Sequence, residues 1–268
     1  MSKSFSVCYI NNSCVMLNAA IAAFGSMFLL WLLSVKLKNT SIVDSWWGPG
    51  FVLVAWVTFF TVGTGAPRQW LLLGLVTLWG LRLGAYITWR NMGESEDYRY
   101  QRMRKNREGF WWKSLFIVFW LQGALMWVIS TPLQLGQLGN LPTALTSSDY
   151  LGICLFAVGF YFEAMGDWQL ATFKAKASNK GKVMDQGVWR YTRHPNYFGD
   201  VCQWWAFYLI AAGSVPGCYT IVGPIVMTFF LLKVSGVAMM DKDQSAKKPQ
   251  YAEYIRKTSA FIPMPPKG

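Results

Sequence analysis

Seven apolar runs divide this chain, at roughly 15–36, 49–66, 69–90, 114–134, 149–172, 200–214 and 217–240, with polar segments between them. Several reach the roughly 20 residues that carry a helix across a bilayer. Backbone groups in lipid must be satisfied within their own segment, and nothing in the pattern resembles the strands of a barrel. The runs predict an all-α polytopic membrane protein of about seven transmembrane helices, in one domain over 1–268. The first run has the length of a signal sequence. It lacks a strongly charged leading region and a small-residue cleavage pattern, and Lys36 and Lys38 follow it, so it reads as a retained span. The run at 200–214 is short and is expected to be tilted or partly buried in protein.

Charge then sets an orientation. Lys36 and Lys38 follow the first run, and Arg90 to Lys113 holds seven cations after the third. Lys174, Lys176, Lys180, Lys182, Arg190 and Arg193 follow the fifth, and a further basic group follows the seventh. The remaining connections are almost free of cations; Arg68 stands alone after the second run. Every second loop is basic, which predicts an outside N-terminus and a cytoplasmic C-terminus.

Composition agrees with the pattern. Apolar residues make up 53% of the chain and charged residues 14%, against about 25% charged in a soluble domain. The net charge of +12 would point to nucleic acid in a soluble protein. Here it lies in loops, so topology explains it, and a role in holding an anionic cofactor is compatible. His194 is the only histidine, which excludes a multi-histidine metal site. Cys8, Cys14, Cys154, Cys202 and Cys218 show no metal-ligand spacing. Cys154 and Cys202 read as packing residues; Cys8, Cys14 and Cys218 are placed toward the outside.

Polar groups at membrane depth are the candidate chemistry. Glu163 and Asp167 stand four apart and share a helix face with Lys174. They form either an ion-pair network at a helix end or the polar wall of a cofactor cavity. Asn179-Lys180-Gly181-Lys182 and the stretch from Gly187 to Asp200 follow. Arg190, Arg193 and His194 suit phosphate oxygens, and arginine adds bidentate geometry. Asn196 can pair with a carboxamide or a base edge, and Tyr191 and Tyr197 offer flat faces. Asp44, in Ser41-Ile-Val-Asp-Ser-Trp-Trp-Gly-Pro-Gly50, reads either as a helix cap or as a carboxyl group facing a substrate carbonyl. Glu96 and Asp97 either bind a ribose or pair with Arg99 and Arg102.

The run Arg193-His-Pro-Asn-Tyr-Phe-Gly-Asp200 resembles the C-terminal domain of the steroid 5α-reductase superfamily, in particular a bacterial branch of it. The likeness covers most of the chain: Trp79-Gly-Leu-Arg82, Arg90-Asn, Glu96-Asp-Tyr-Arg99, Gly166-Asp167-Trp-Gln169, Asn179-Lys-Gly-Lys182, Ser235-Gly-Val and Phe261-Ile-Pro. The resemblance implies a seven-helix reductase of the bacterial inner membrane. It would use NADPH to saturate a carbon–carbon double bond conjugated to a ketone in an apolar lipid, such as a 3-oxo-4-ene steroid. Cofactor contacts then fall on Arg82, Arg90, Asp97, Asp167, Lys174, Asn179, Lys182, Arg190, Tyr191, Arg193, His194, Asn196, Tyr197 and Asp200. Asp44 and Tyr86 fall at the catalytic positions. Two departures stand out. The family's Gln-Glu pair on helix two is Val43-Asp44 here, and its tyrosine three before the helix-three arginine is Trp79, which has no phenolic proton. Membrane methyltransferases of the isoprenylcysteine type share the Arg-His-Pro segment and use S-adenosylmethionine. They follow it with paired glutamates on the last helix, which this chain lacks.

Overall fold

A computed structural model describes residues 2–138, 142–234, 237, 240, 241, 245 and 248–267, with side chains from residue 12 onward. The described residues are helical, with no strand among them. The main helices are α1 (Ser2–Leu37), α2 (Ile42–Val62), α3 (Pro67–Asn91), α4 (Tyr98–Lys105), α5 (Phe110–Ile129), α6 (Ser147–Ala175), α7 (Pro195–Ala211), α8 (Val215–Val234) and α9 (Tyr251–Lys257). Both α5 and α8 contain a π-helical stretch, at Leu115–Trp120 and Phe230–Val234.

Six of these helices, α1, α2, α3, α5, α6 and α8, are long and apolar enough to cross a membrane. The protein is therefore read as an integral membrane protein. The expected span at 200–214 is α7, a helix of 17 residues. At about 1.5 Å per residue it reaches about 26 Å, short of the roughly 30 Å hydrocarbon core. The second span begins at Ile42, not at 49, because Pro49 lies inside α2 and does not open it. Proline cannot serve the carbonyl four residues back. That carbonyl, of Ser45, lies beside Gly84 of α3, where a Cβ would sit 3.2 Å from it. The fourth span likewise starts earlier than expected, at Phe110.

The chain forms two compact units, one of Met1–Asp149 with Ile210–Gly223, the other of Tyr150–Leu209 with Pro224–Gly268. In the first, α1, α2, α3 and α5 pack together. Gly48 and Gly80 let α2 and α3 touch backbone to backbone, since a Cβ on Gly48 would lie 2.3 Å from the Gly80 carbonyl oxygen. Its core includes Phe51, Trp79, Phe119 and Met126. Arg68, the lone cation after the second span, is buried and donates from Nε and Nη2 to Asp149, each at 2.8 Å. The Thr146 amide and hydroxyl complete the shell of Asp149.

In the second unit α6 crosses α7 through Gly159 and Gly199. A Cβ on Gly199 would lie 2.4 Å from the Gly159 carbonyl oxygen. Cys202 is buried there as expected, but Cys154 is exposed. The described cysteines, Cys14, Cys154, Cys202 and Cys218, are free thiols. The side chain of Cys8 lies outside the described residues.

Candidate functional site

The polar segment after α6 folds back on that helix. Trp189 Nε1 donates to the Gly166 carbonyl at 3.0 Å, and the Val188 amide donates to Gln169 Oε1 at 3.0 Å. Met184, Val188 and Trp189 form a small core against Phe162, Met165, Leu170 and Phe173. Asn179 is fixed by its donation to the Phe173 carbonyl at 2.9 Å. The polar loop thus has an apolar anchor. Glu163 and Asp167 are both buried on α6, and Gln203 of α7 donates to Glu163. Lys174, expected to share their face, is exposed further along the helix.

The C-terminal segment runs beside this loop. The Arg193 amide donates to the Ser259 carbonyl, the Thr192 hydroxyl to the Phe261 carbonyl, and the Met264 amide to the Tyr191 carbonyl, at 2.9, 2.8 and 2.9 Å. Phe261-Ile-Pro, separated by 60-odd residues from Arg-His-Pro in the chain, is therefore its direct neighbour. Ser235 and Gly236, the remaining part of the expected signature, lie outside the described residues.

Arg193 and His194 point at Asp241 and away from solvent. Arg193 Nη2 lies 2.7 Å from Asp241 Oδ2, and His194 Nε2 lies 3.0 Å from Oδ1. The Tyr251 hydroxyl donates to the same Oδ1 at 2.7 Å. Arg193 also donates to the Thr258 carbonyl at 2.6 Å. Burial works against ionisation of Asp241, but the hydrogen bonds from His194, Arg193 and Tyr251 hold its carboxyl far below the usual range. Burial, then the adjacent carboxylate, pushes the Tyr251 phenol up, so it stays a donor. Tyr197 stacks on His194, ring centroids 5.5 Å apart and nearly parallel. Arg193 and His194 thus organise the loop. The acid that receives them was not among the sequence candidates. Its only signal is that it is the first carboxylate after the last apolar run.

A cavity of about 1060 Å³ opens between this loop and α9 with the chain after it. That is at the upper end of the roughly 300–1,000 Å³ usual for cofactor sites. Three predicted residues, Asn179, Lys182 and Arg190, line it together. Lys257 and Lys267, which sequence reasoning did not single out, line it too. Of the other predicted residues, Tyr191 is exposed, while Asn196, Tyr197 and Asp200 are half-buried at the start of α7.

Residues 30–258 match the family described as a protein of unknown function, DUF1295. The chain belongs to the DUF1295 family. That family is associated with steroid 5α-reductase-like proteins. The chain is similar to an uncharacterized protein from Schizosaccharomyces pombe, 27% identical over 265 residues, covering 88% of this chain and 76% of the relative. No solved structure matches it.

The first unit of this DUF1295 chain holds the other predicted residues. Asp44 is neither a cap nor a lone acid. The cap position of α2 is Ser41, and Asp44 accepts from Arg99 Nη2 at 2.9 Å and from the Tyr100 hydroxyl at 2.8 Å. Asp97 caps α4, accepting from the Arg99 amide at 2.9 Å and again from Arg99 Nε. Glu96 accepts from the Thr40 amide and from Arg104, at 2.7 and 2.8 Å; the expected partner Arg102 is not used. Burial disfavours the charged forms of Glu96 and Asp97, but bonds from Arg104 and Arg99 respectively keep both carboxyls below their ordinary values. On α3, the guanidinium groups of Arg82 and Arg90 each lie 5.8 Å from the Tyr86 ring centroid.

Proposed function

We propose that this DUF1295 protein is an NADPH-dependent membrane reductase, saturating a carbon–carbon double bond conjugated to a ketone in an apolar lipid. The observation that carries the reading is the cavity in the second unit, where Asn179, Lys182 and Arg190 converge. Cationic side chains and an amide are the groups that hold phosphates and a base or amide edge. When bound, NADPH supplies a hydride to the β-carbon of the enone, with a proton adding at the α-carbon. The chain's own part is to bind and orient. Asn179 is positioned by the Phe173 carbonyl, and Tyr254, buried beneath the cavity, is fixed by its bond to the Trp189 carbonyl. The aromatic and apolar helix surfaces suit a lipid substrate.

The rival reading is a methyltransferase using S-adenosylmethionine. It needs paired glutamates on the last spanning helix, where this chain has no glutamate, and Asp241 is held by Arg193 and His194. The cationic cavity weighs against it, because S-adenosylmethionine carries a sulfonium cation and no phosphate. The proposed topology has seven crossings, α7 included, with the N-terminus outside and the C-terminus in the cytoplasm. The alternation of basic loops supports it.

The test is binding. NADPH titrated into the detergent-purified protein is expected to bind, and Arg190→Gln is expected to weaken it by about tenfold, or about 1.4 kcal/mol. Tight S-adenosylmethionine binding without NADPH binding would overturn the reading.

A further inference from the structure

The cavity has a second cationic wall. Lys257 ends α9, and Lys267 lies in the segment after it, both lining the cavity that Lys182 and Arg190 line. The two lysines are tied through their backbones, with the Lys267 amide donating to the Lys257 carbonyl at 2.9 Å. The segment carrying Lys267 is not a loose tail. It is bonded to Tyr191, Thr192 and Arg193 in turn, as described above. Lys248 adds another pin, its Nζ donating to the Lys182 carbonyl at 2.8 Å.

We propose that this C-terminal wall recognises the phosphomonoester that separates NADPH from NADH, with Lys257 and Lys267 as its specificity residues. The inference rests on the reductase reading and deepens it. The cavity is net cationic, as a site for an anionic nucleotide requires. Lys182, Arg190, Lys257 and Lys267 face Asp185 and Glu253 around the cavity, a net of +2. A phosphomonoester carries about −1.5 to −2 near pH 7. Among the described residues, Lys182, Arg190 and Lys267 form no ion pair, so their charge is not already spent. Lys257 is paired with Glu253 at 2.7 Å, but both side chains are more than half exposed. An exposed pair of that kind is worth about 1 kcal/mol or less, so a phosphate can displace the carboxylate. The family match ends at residue 258, so Lys267 lies beyond what that comparison reaches.

The experiment titrates NADPH and NADH separately into the full chain in detergent, as wild type, as the double variant Lys257→Gln/Lys267→Gln, and as Glu253→Gln. The wild type is expected to prefer NADPH. The double variant is expected to lose about tenfold or more in NADPH affinity while NADH affinity stays within about twofold. Glu253→Gln, which removes the competing carboxylate, is expected to tighten NADPH binding. Unchanged melting without nucleotide establishes that the variants fold. Equal losses for both nucleotides, or no loss for NADPH, overturn the proposal. A wild type that binds both equally overturns it and leaves the reductase reading standing; one that binds neither overturns both.

Discussion

Asp241 accepts from an arginine, a histidine and a phenol, and this fixes how the fold responds to acid. Its ordinary value is 3.8, and the native carboxyl titrates well below that. As the pH falls through 3.8 the unfolded chain takes up the proton first, so the unfolded state binds more protons than the native one. Stability is therefore complete above that pH and drains away below it. Melting followed from pH 7 down to about pH 3 is expected to show wild type losing stability at the acid end. Asp241→Asn should lack that component. At neutral pH the same variant leaves Arg193 buried without its carboxylate, and is expected to lose about 3–5 kcal/mol. A variant as stable as wild type at pH 7 would show that the cluster contributes nothing to the fold.

Helix contacts depend on where side chains are missing. On α3, a Cβ at Gly80 would lie 2.6 Å from the Gly48 carbonyl oxygen and 2.6 Å from Val52. Gly74 of the same helix has nothing within 4 Å of that position. Gly80→Ala is expected to force α2 and α3 apart at a cost of about 1–3 kcal/mol. Gly74→Ala is expected to stabilise by about 0.5–1 kcal/mol, through helix propensity alone. Thermal melting in one detergent separates the two signs. The same logic of close approach holds α6 against α7 at Gly159 and Gly199.

For the molecule as a whole the open count is α7. Its 17 residues and its place between basic and uncharged connections pull in opposite directions. Topology reporters fused after Lys182 and after Ser214 are expected to lie on opposite sides, as the charge alternation requires. Reporters on one side would reduce the crossings to the six long helices.

Membrane class was legible in the sequence because run length and loop charge are local quantities, which bilayer thickness reads directly. So was the polar connection that follows α6, whose polar density no lipid-facing run would carry. Partner choice was not legible. Asp44 read along the chain either as a cap or as a carboxyl group facing a substrate carbonyl, and neither reading named Arg99 and Tyr100, which bond it from more than fifty residues away. Asp241 was not singled out along the chain; Arg193 and His194 meet it from the loop some 47 residues earlier. Lys257 and Lys267 carry no signal of their own along the chain; backbone bonds lay their segment beside Tyr191–Arg193. Hydrophobic periodicity and charge are written along the chain, whereas ion pairing is decided by which segments the packed helices bring within about 3 Å of each other.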